Sequence, residues 1–375
     1  MNLNLDPVQL TQTLVRVNTI NTSNTPGDES HCTRYLAQLL EPYGFRCTLT
    51  ELTPGRASLI ARIGDPDKGL PLAFTGHVDV VPLGDAPWTQ APFGGDIVDG
   101  KLYGRGSSDM KGGVAAFVCA AIACSPQLAG TAGVTLIITA GEETGCEGAF
   151  HMAEQPGLLQ PAGALLVAEP SYNNPLVGHK GALWLKARAT GITAHGSMPQ
   201  HGDNAVYKIA RAALALQAFT FDCPPHPLMG SPTLNVGLIK GGLNVNSVPD
   251  AAELTIDIRS VAGQSHARIQ DTLQTLLGAD IKLEIMIDLP PVYTPPESPW
   301  VQRVMALAGT TQTPGTVTYF TDAAALLAPL GNPPTLILGP GETHLAHQTD
   351  EYCEVAKIEQ ACELYQRMIL DWCQS

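Results

Sequence analysis

The segment PLAFTGHVDVVP, residues 71–82, decides the fold. It is a short run, apolar at successive rather than alternate positions, with a proline at each end. Such a run reads as a strand buried on both faces of a largely parallel sheet. Three more runs share this character: GVTLIITAGEE (133–143), GALLVAEP (163–170) and PTLILGPG (334–341). Helix-like stretches such as MKGGVAAFVCAAIA (110–123) lie between them. The expected architecture is therefore α/β, a mostly parallel sheet with helices on both faces. At the N-terminus, Asp6-Pro7 offers a cap and a proline at the first helical position, followed by Leu10, Leu14 and Val17 at helical spacing. A second helix is expected over about residues 30–43.

The middle of the chain changes period. ALWLKARATG (182–191), PTLNVGLIKG (232–241) and AELTIDIRS (252–260) alternate apolar and polar residues. The helix pattern DNAVYKIARAALALQAF (203–219) separates the first two, and SHARIQDTLQTLLG (265–278) precedes a last strand, IKLEIMID (281–288). The order β-α-β-β-α-β is that of a ferredoxin-like unit with helices on one sheet face. A chain of 375 residues is long for one domain. The expected organisation is a large α/β domain made of residues 1–177 and 291–375, with a smaller domain, 178–290, inserted into it.

Composition narrows the function. With 44% hydrophobic and 15% charged residues, the chain has ample material for a core. Its formal charge of −14 argues against nucleic acid or an anionic membrane as the main partner. No stretch of eighteen or more apolar residues predicts a membrane span, and the opening MNLNLDPVQL lacks the basic and apolar segments of a signal peptide. The nine cysteines are an odd number without a CxxC pair, and Cys119 and Cys124 lie in an Ala-rich helix pattern as small hydrophobes. This usage speaks against disulfides and thiolate metal sites and for a cytoplasmic protein.

In open α/β sheets, ligands bind beyond the carboxyl ends of the strands. The first apolar run ends in His77 and Asp79, the second in Glu142 and Glu143, the third in Glu169, and the fourth is followed by His347. Asp109 sits just before a helix in GRGSSDMKGG. Each has an ordinary reading: His77 and Asp79 as a hydrogen-bonded couple, the Glu pair as a solvated turn. Their coincidence at one edge favours cations, because buried carboxylates in proximity repel one another. Imidazole plus carboxylate without thiolate suits zinc, with manganese or cobalt able to substitute. Two histidines and three carboxylates supply one bridging acid and two further ligands for each of two metals, roughly 3.5–4 Å apart. The other eight histidines are read at first as ordinary loop or core residues, His195 and His201 among them.

TGHVDVVP, GRGSSDMKGG, GEETGCEGA, AEPS and GPGETHLAHQTDE together resemble the zinc-dependent metallopeptidase family that contains acetylornithine deacetylase, succinyl-diaminopimelate desuccinylase, aminoacylases and glutamate carboxypeptidase. PTLNVGLIKGG, ELTIDIRS and VTYFTDAAAL look most like the acetylornithine deacetylase branch. The resemblance implies hydrolysis of an N-acyl amino acid by two zinc ions per subunit. It implies that His77, Asp109 and Glu169 hold one zinc and that Asp109, Glu143 and His347 hold the other. Glu142 would be the general base, and Asp79 would accept the other ring N–H of His77. Glu143 would point away from Glu142, as neighbours do in extended backbone. GITAHGSMPQHGDNA resembles the family's dimerisation motif, which implies a homodimer in which His195 of the partner subunit reaches the active site. Asn246 and Arg259 would contact substrate, Arg259 as a fork for its carboxylate, assisted by the N–H groups of Gly339 and Gly341. Asp322 would recognise a distal ammonium. Alternatives are a desuccinylase, a broad aminoacylase or a dipeptidase of the same fold, and a non-catalytic binding protein on the same scaffold.

Overall fold

The structure is a computed structural model that describes residues 5–21 and 27–374. Residues 1–4, part of the opening on which the absence of a leader is read, lie outside the described residues. The N-terminal part runs through α1 (Pro7–Val15), α2 (Glu29–Leu40), β1 (Arg46–Thr53), β2 (Arg56–Ile63), β3 (Leu72–His77), α3 (Gly112–Cys124), β4 (Val134–Thr139), α4 (Glu147–Ala153) and β5 (Ala164–Val167). The middle contains β6 (Gly181–Thr190), α5 (Ala205–Gln217), β7 (Thr233–Gly241), β8 (Ala251–Ser260), α6 (His266–Leu277) and β9 (Ile281–Leu289). α7 (Pro299–Ala308), α8 (Ala323–Leu326), β10 (Thr335–Ile337) and α9 (Val355–Gln374) complete the chain. It divides into two compact units, one of residues 1–178, 293–315 and 321–375, the other of 179–292 and 316–320.

The larger unit is a mixed α/β layer around a six-stranded sheet of order β1-β2-β4-β3-β5-β10. The pairs β4–β3, β3–β5 and β5–β10 are parallel, whereas β1–β2 and β2–β4 are antiparallel. Every residue of β3, β4 and β5 is buried, as unbroken apolar runs require of strands covered on both faces. Phe74 of β3 packs against Phe117 of α3 and edge-on against Tyr365 of α9. α1 begins as its sequence indicates, with Asp6 Oδ1 accepting the Val8 N–H at 2.8 Å, but it ends at Val15, so Val17 lies beyond it. α2 gives way after Leu40 to a tighter turn over Glu41–Tyr43 that contains Pro42.

The segment Ser107–Gln127 has the length and mean hydropathy, 1.2, of a membrane-crossing helix. Its apolar window is 89% buried within the protein, where α1, α9 and the sheet surround it. Its apolar surface is thus already covered by the protein's own core.

The smaller unit is a four-stranded sheet of order β7-β8-β6-β9 in which all neighbours are antiparallel. β8 alternates strictly, burying Ala252, Leu254, Ile256, Ile258 and Ser260. The four apolar ones join Leu183, Leu185 and Ala187 of β6 under Ile209 and Leu216 of α5 and Ile269 and Leu273 of α6. Period-two strands and amphipathic helices therefore share one apolar layer.

α3 approaches the end of β5 so closely that Gly113 has no room for a side chain: a methyl there would lie 2.2 Å from the Ala168 carbonyl oxygen. Gly113→Ala is expected to lower stability by about 1–3 kcal/mol, as overpacking does. This would outweigh the ~1 kcal/mol that alanine gains over glycine in a helix. Urea denaturation measures it, and an unchanged or raised midpoint would contradict the close packing.

Candidate metal centre

β3, β4, β5 and β10 deliver their C-terminal ends to one edge of the larger unit, and the donor side chains gather there. His77 is the last residue of β3 and 1% exposed. Its Nε2 lies 3.1 Å from Asp109 Oδ1 and 3.6 Å from Glu169 Oε1. The other oxygen of Asp109, Oδ2, lies 3.4 Å from His347 Nε2, which is also 3.1 Å from Glu143 Oε2. The donors form two groups, His77/Asp109/Glu169 and Asp109/Glu143/His347, and in each all the donor atoms lie within 4.8 Å of one another. Asp109 belongs to both, one oxygen to each side, which is the geometry of a bridging carboxylate.

Electrostatics test whether cations fit. Burial and then the charge of Asp109 push Glu169 well above the usual carboxylate range. The same two causes push Glu143 to about 7, against the hydrogen bond with His347. Burial also raises Glu142 strongly; His77 opposes, while Glu169 and Asp322 add to the rise. Hydrogen bonds to Asp109 and Glu143 carry His347 to about 10. Asp109 is held low by His347 and His77 although burial opposes its charge. Burial and mutual repulsion thus disfavour the full set of negative charges here, and nearby positive charge relieves both. Two divalent cations suit the same donor set, since oxygen and nitrogen donors without thiolate are what such ions take.

Asp79 is fully buried and does more than the sequence suggests. Its Oδ1 and Oδ2 accept the backbone N–H groups of Glu142 and Glu143, both at 3.1 Å. Nδ1 of His77 donates to the main-chain carbonyl of Asp79 at 3.0 Å, with the carboxylate 3.5 Å away. The nearer contact of the ring is therefore with the backbone of Asp79, and its carboxylate oxygens are taken up by the two glutamate N–H groups. Glu142 and Glu143 stand in a turn, not in extended backbone; the Gly145 and Cys146 N–H groups both donate to the Glu142 carbonyl. The turn is what separates the two side chains. Glu142 is 5% exposed, and its carboxylate accepts from the Cys146 thiol at 3.9 Å.

Other expectations change. Asp322 does not present its carboxylate to solvent: it is 2% exposed and accepts a hydrogen bond from the Thr139 hydroxyl. It stands at the start of α8 with its side chain turned toward Thr139 at the end of β4. The Gly339 N–H donates to Ser171 Oγ at 3.1 Å and is not free for substrate. Gly339 and Gly341 are required by packing, since a Cβ would meet the Ala168 and Ser108 carbonyl oxygens respectively at 2.2 Å. His195, Asn246 and Arg259 belong to the smaller unit. His195 is exposed and its Nδ1 accepts the Ser197 N–H at 3.2 Å, which leaves Nε2 as a donor. Asn246 is exposed and its carbonyl holds the Gly196 N–H. The Arg259 fork is paired with Asp257, Nε to Oδ1 at 2.9 Å. Arg105 and Glu351, within the motifs quoted above, have no role in the sequence reading; their burial and contacts with the Asp109 loop emerge only from the fold.

A model of Peptidase family M20/M25/M40 matches residues 73–371. The chain is 32% identical over 391 residues to the acetylornithine deacetylase of Proteus mirabilis, covering 100% of this chain and 98% of that protein. It is 30% identical over 392 residues to a probable succinyl-diaminopimelate desuccinylase of Staphylococcus aureus, with 94% and 96% covered. An M20 family metallo-carboxypeptidase from Sulfolobus solfataricus superposes with a TM-score of 0.76 at 18% identity, over 99% of this chain and 100% of that one. A dinuclear metal-binding M20 peptidase of Bacillus subtilis does so with 0.71 at 15% identity, over 99% of each chain. With the matched span running from β3 into α9 and the named relatives covered almost end to end, the chain belongs to peptidase family M20/M25/M40 and is a hydrolase acting on amide bonds.

Proposed function

We propose that this protein is a two-metal deacetylase of N-acyl amino acids, with N2-acetyl-L-ornithine as substrate and L-ornithine and acetate as products, acting in arginine biosynthesis. The observation that carries the reading is Asp109, whose two oxygens face two separate His/Glu pairs beside a buried Glu142. His77, Asp109 and Glu169 would hold one ion, and Asp109, Glu143 and His347 the other, zinc by donor chemistry, with cobalt or manganese as substitutes. When bound, such ions polarise the acyl carbonyl and lower the pKa of water to about 7. Glu142, buried beside the donors, takes the proton from the attacking water and returns it to the leaving nitrogen. Asp79 holds the backbone of both glutamates, so that base and ligand keep their spacing. Arg259, when it exchanges Asp257 for substrate, offers two parallel donors to an α-carboxylate, and Asn246 lies on the same unit.

The smaller unit is read as a ferredoxin-like dimerisation and lid domain, and the enzyme as a homodimer. β7 is an edge strand with Leu238 and Ile239 exposed, and α5 exposes Tyr207 and Leu214. A strand with one open edge and exposed apolar side chains is suited to pairing with a second copy. Nε2–H of His195 of the partner subunit then serves as a donor to the developing oxyanion. A cytoplasmic setting belongs to the same reading, since all nine cysteines are free.

A desuccinylase is the second reading, because relatives at about the same identity carry that name. A panel of N-acetylornithine, N-succinyl-diaminopimelate and simple N-acetyl amino acids, assayed with zinc and with cobalt, separates the two. N-acetylornithine is expected to show the highest kcat/KM, and a different leader would overturn the ornithine assignment. Chelation should abolish turnover and zinc restore it; Glu142→Gln should bind metal normally yet lose at least ~100-fold in kcat. Asp79→Ala is expected to lose at least tenfold in kcat while its thermal midpoint falls much less steeply, in parallel measurements on one preparation. Leu214→Glu combined with Ile239→Lys should sediment as a single chain and lose activity with dimerisation; a sedimentation coefficient equal to that of the unmodified protein would contradict the proposed interface.

A further inference from the structure

Beneath the donor clusters lies a buried ion pair that touches no donor atom yet holds the loops that carry them. Glu351 is fully buried, and Arg105 is 1% exposed. Glu351 Oε1 accepts the N–H groups of Ser108 at 2.9 Å and Asp109 at 3.0 Å. Its Oε2 accepts Arg105 Nη1 at 2.7 Å and the Gly106 N–H at 3.0 Å. Four donors fill the four acceptor positions of a carboxylate, so Glu351 has none left for a metal. Arg105 spreads its fork further: Nη1 reaches the Gln348 carbonyl at 3.1 Å, and Nη2 the carbonyls of His347 at 3.3 Å and Pro82 at 3.2 Å.

The His347 end needs such support. His347 and Asp350 both adopt positive φ, 65° and 57°, a region that residues with a Cβ enter at a cost. Arg105 holds the carbonyls of His347 and Gln348, while the Asp350 carboxylate accepts the N–H groups of Thr89 and Gln90 at 2.7 and 3.3 Å. His77 and Glu169, by contrast, stand at or just beyond the ends of strands already fixed by the sheet ladder. Of the Asp109/Glu143/His347 donors, two ride on segments tied to the pair; of the His77/Asp109/Glu169 donors, one does.

We infer that Arg105 and Glu351 are positioning residues that set the affinity of the Asp109/Glu143/His347 site, and with it whether the enzyme carries one metal or two. This rests on the two-metal reading above. Burying a charge pair is a poor route to stability, because desolvation offsets most of the Coulomb attraction. What the pair does supply is geometry: it links segments around residues 82, 105–109 and 347–351, which are remote in sequence. Loss of the groups that orient ligands costs about 10–100-fold in metal affinity.

The test titrates metal-free full-length protein with Co2+, following visible absorption and binding heat, for the unmodified protein, Glu351→Gln and Arg105→Lys. Glutamine keeps the shape of Glu351 but turns an NH2 group toward donors, and lysine keeps the charge of Arg105 but not its fork. The unmodified protein should bind two equivalents. In both variants the second equivalent should weaken at least tenfold and its absorption band shift, while the first changes less than threefold. Glu169→Gln, on the opposite cluster, supplies the reciprocal pattern, and far-UV circular dichroism shows that each variant is folded. Should one variant fail to fold, the other carries the test; if both unfold, the pair is a stability element and the inference is overturned. Equal weakening of both equivalents, or of neither, overturns it too. A single equivalent bound by the unmodified protein would overturn the two-metal reading itself.

Discussion

Buried negative charge concentrated at one edge of the sheet is the constraint around which the larger unit is organised. Asp79, Asp109, Glu142, Glu143, Glu169 and Asp322 all lie there, and burial alone disfavours the ionised form of each. Left to relax, such groups would separate or open the site to water. Separation is resisted by rigid elements, since β3 is paired with β5 up to Thr75 and with β4 up to His77, which fixes the spacing of His77 and Glu169. Opening is resisted by backbone packing so close that Gly113, Gly339 and Gly341 leave no room for a Cβ. Two bare imidazoles cannot neutralise this edge without holding protons, and the same atoms are those a divalent cation would take. Fold and chemistry thus meet in one requirement, an acidic cluster kept dense enough to need positive charge.

The parts that were legible in the sequence are those where physics restricts residue type. β3, β4, β5 and β10 are visible because burial on both faces demands unbroken apolar runs. The β8 alternation is visible because only one face is covered. The histidine and carboxylate donors are visible because few side chains bind cations through nitrogen or oxygen. β1 and β2 escape notice: RCTLTELT leaves most of β1 at least partly exposed at the sheet edge, where packing imposes little pattern. Main-chain hydrogen bonds escape for another reason. The Glu142 and Glu143 N–H groups on Asp79, and the Gly339 N–H on Ser171, carry no side-chain signature. Asp322 shows a third limit, because a motif match places the residue in the chain but not the burial of its side chain against Thr139.

Proximity of the right groups is not sufficient to make a site, as the smaller unit demonstrates. Ser260 Oγ lies 2.6 Å from His266 Nε2, and His266 Nδ1 lies 2.5 Å from Asp288 Oδ1. Taken as distances, these are those of a nucleophilic serine triad. Ser260 is nevertheless fully buried, and the backbone of Gly181 packs against its hydroxyl so closely that a Cβ there would lie 2.2 Å from Oγ. No acyl carbon could come within the ~3–3.5 Å an attack requires. The relay instead fastens the end of β8 to the first residue of α6 and to β9, a structural task for a hydrogen-bond chain whose serine end is buried. The acidic cluster differs in that His347 is half exposed, its side chain 52% accessible, while Asp109 and Glu143 beside it are mostly covered and Glu142 and Glu169 are buried. A reactive centre needs both conditions at once: groups held in a low dielectric where their interactions are strong, and one open side through which a substrate carbonyl can arrive.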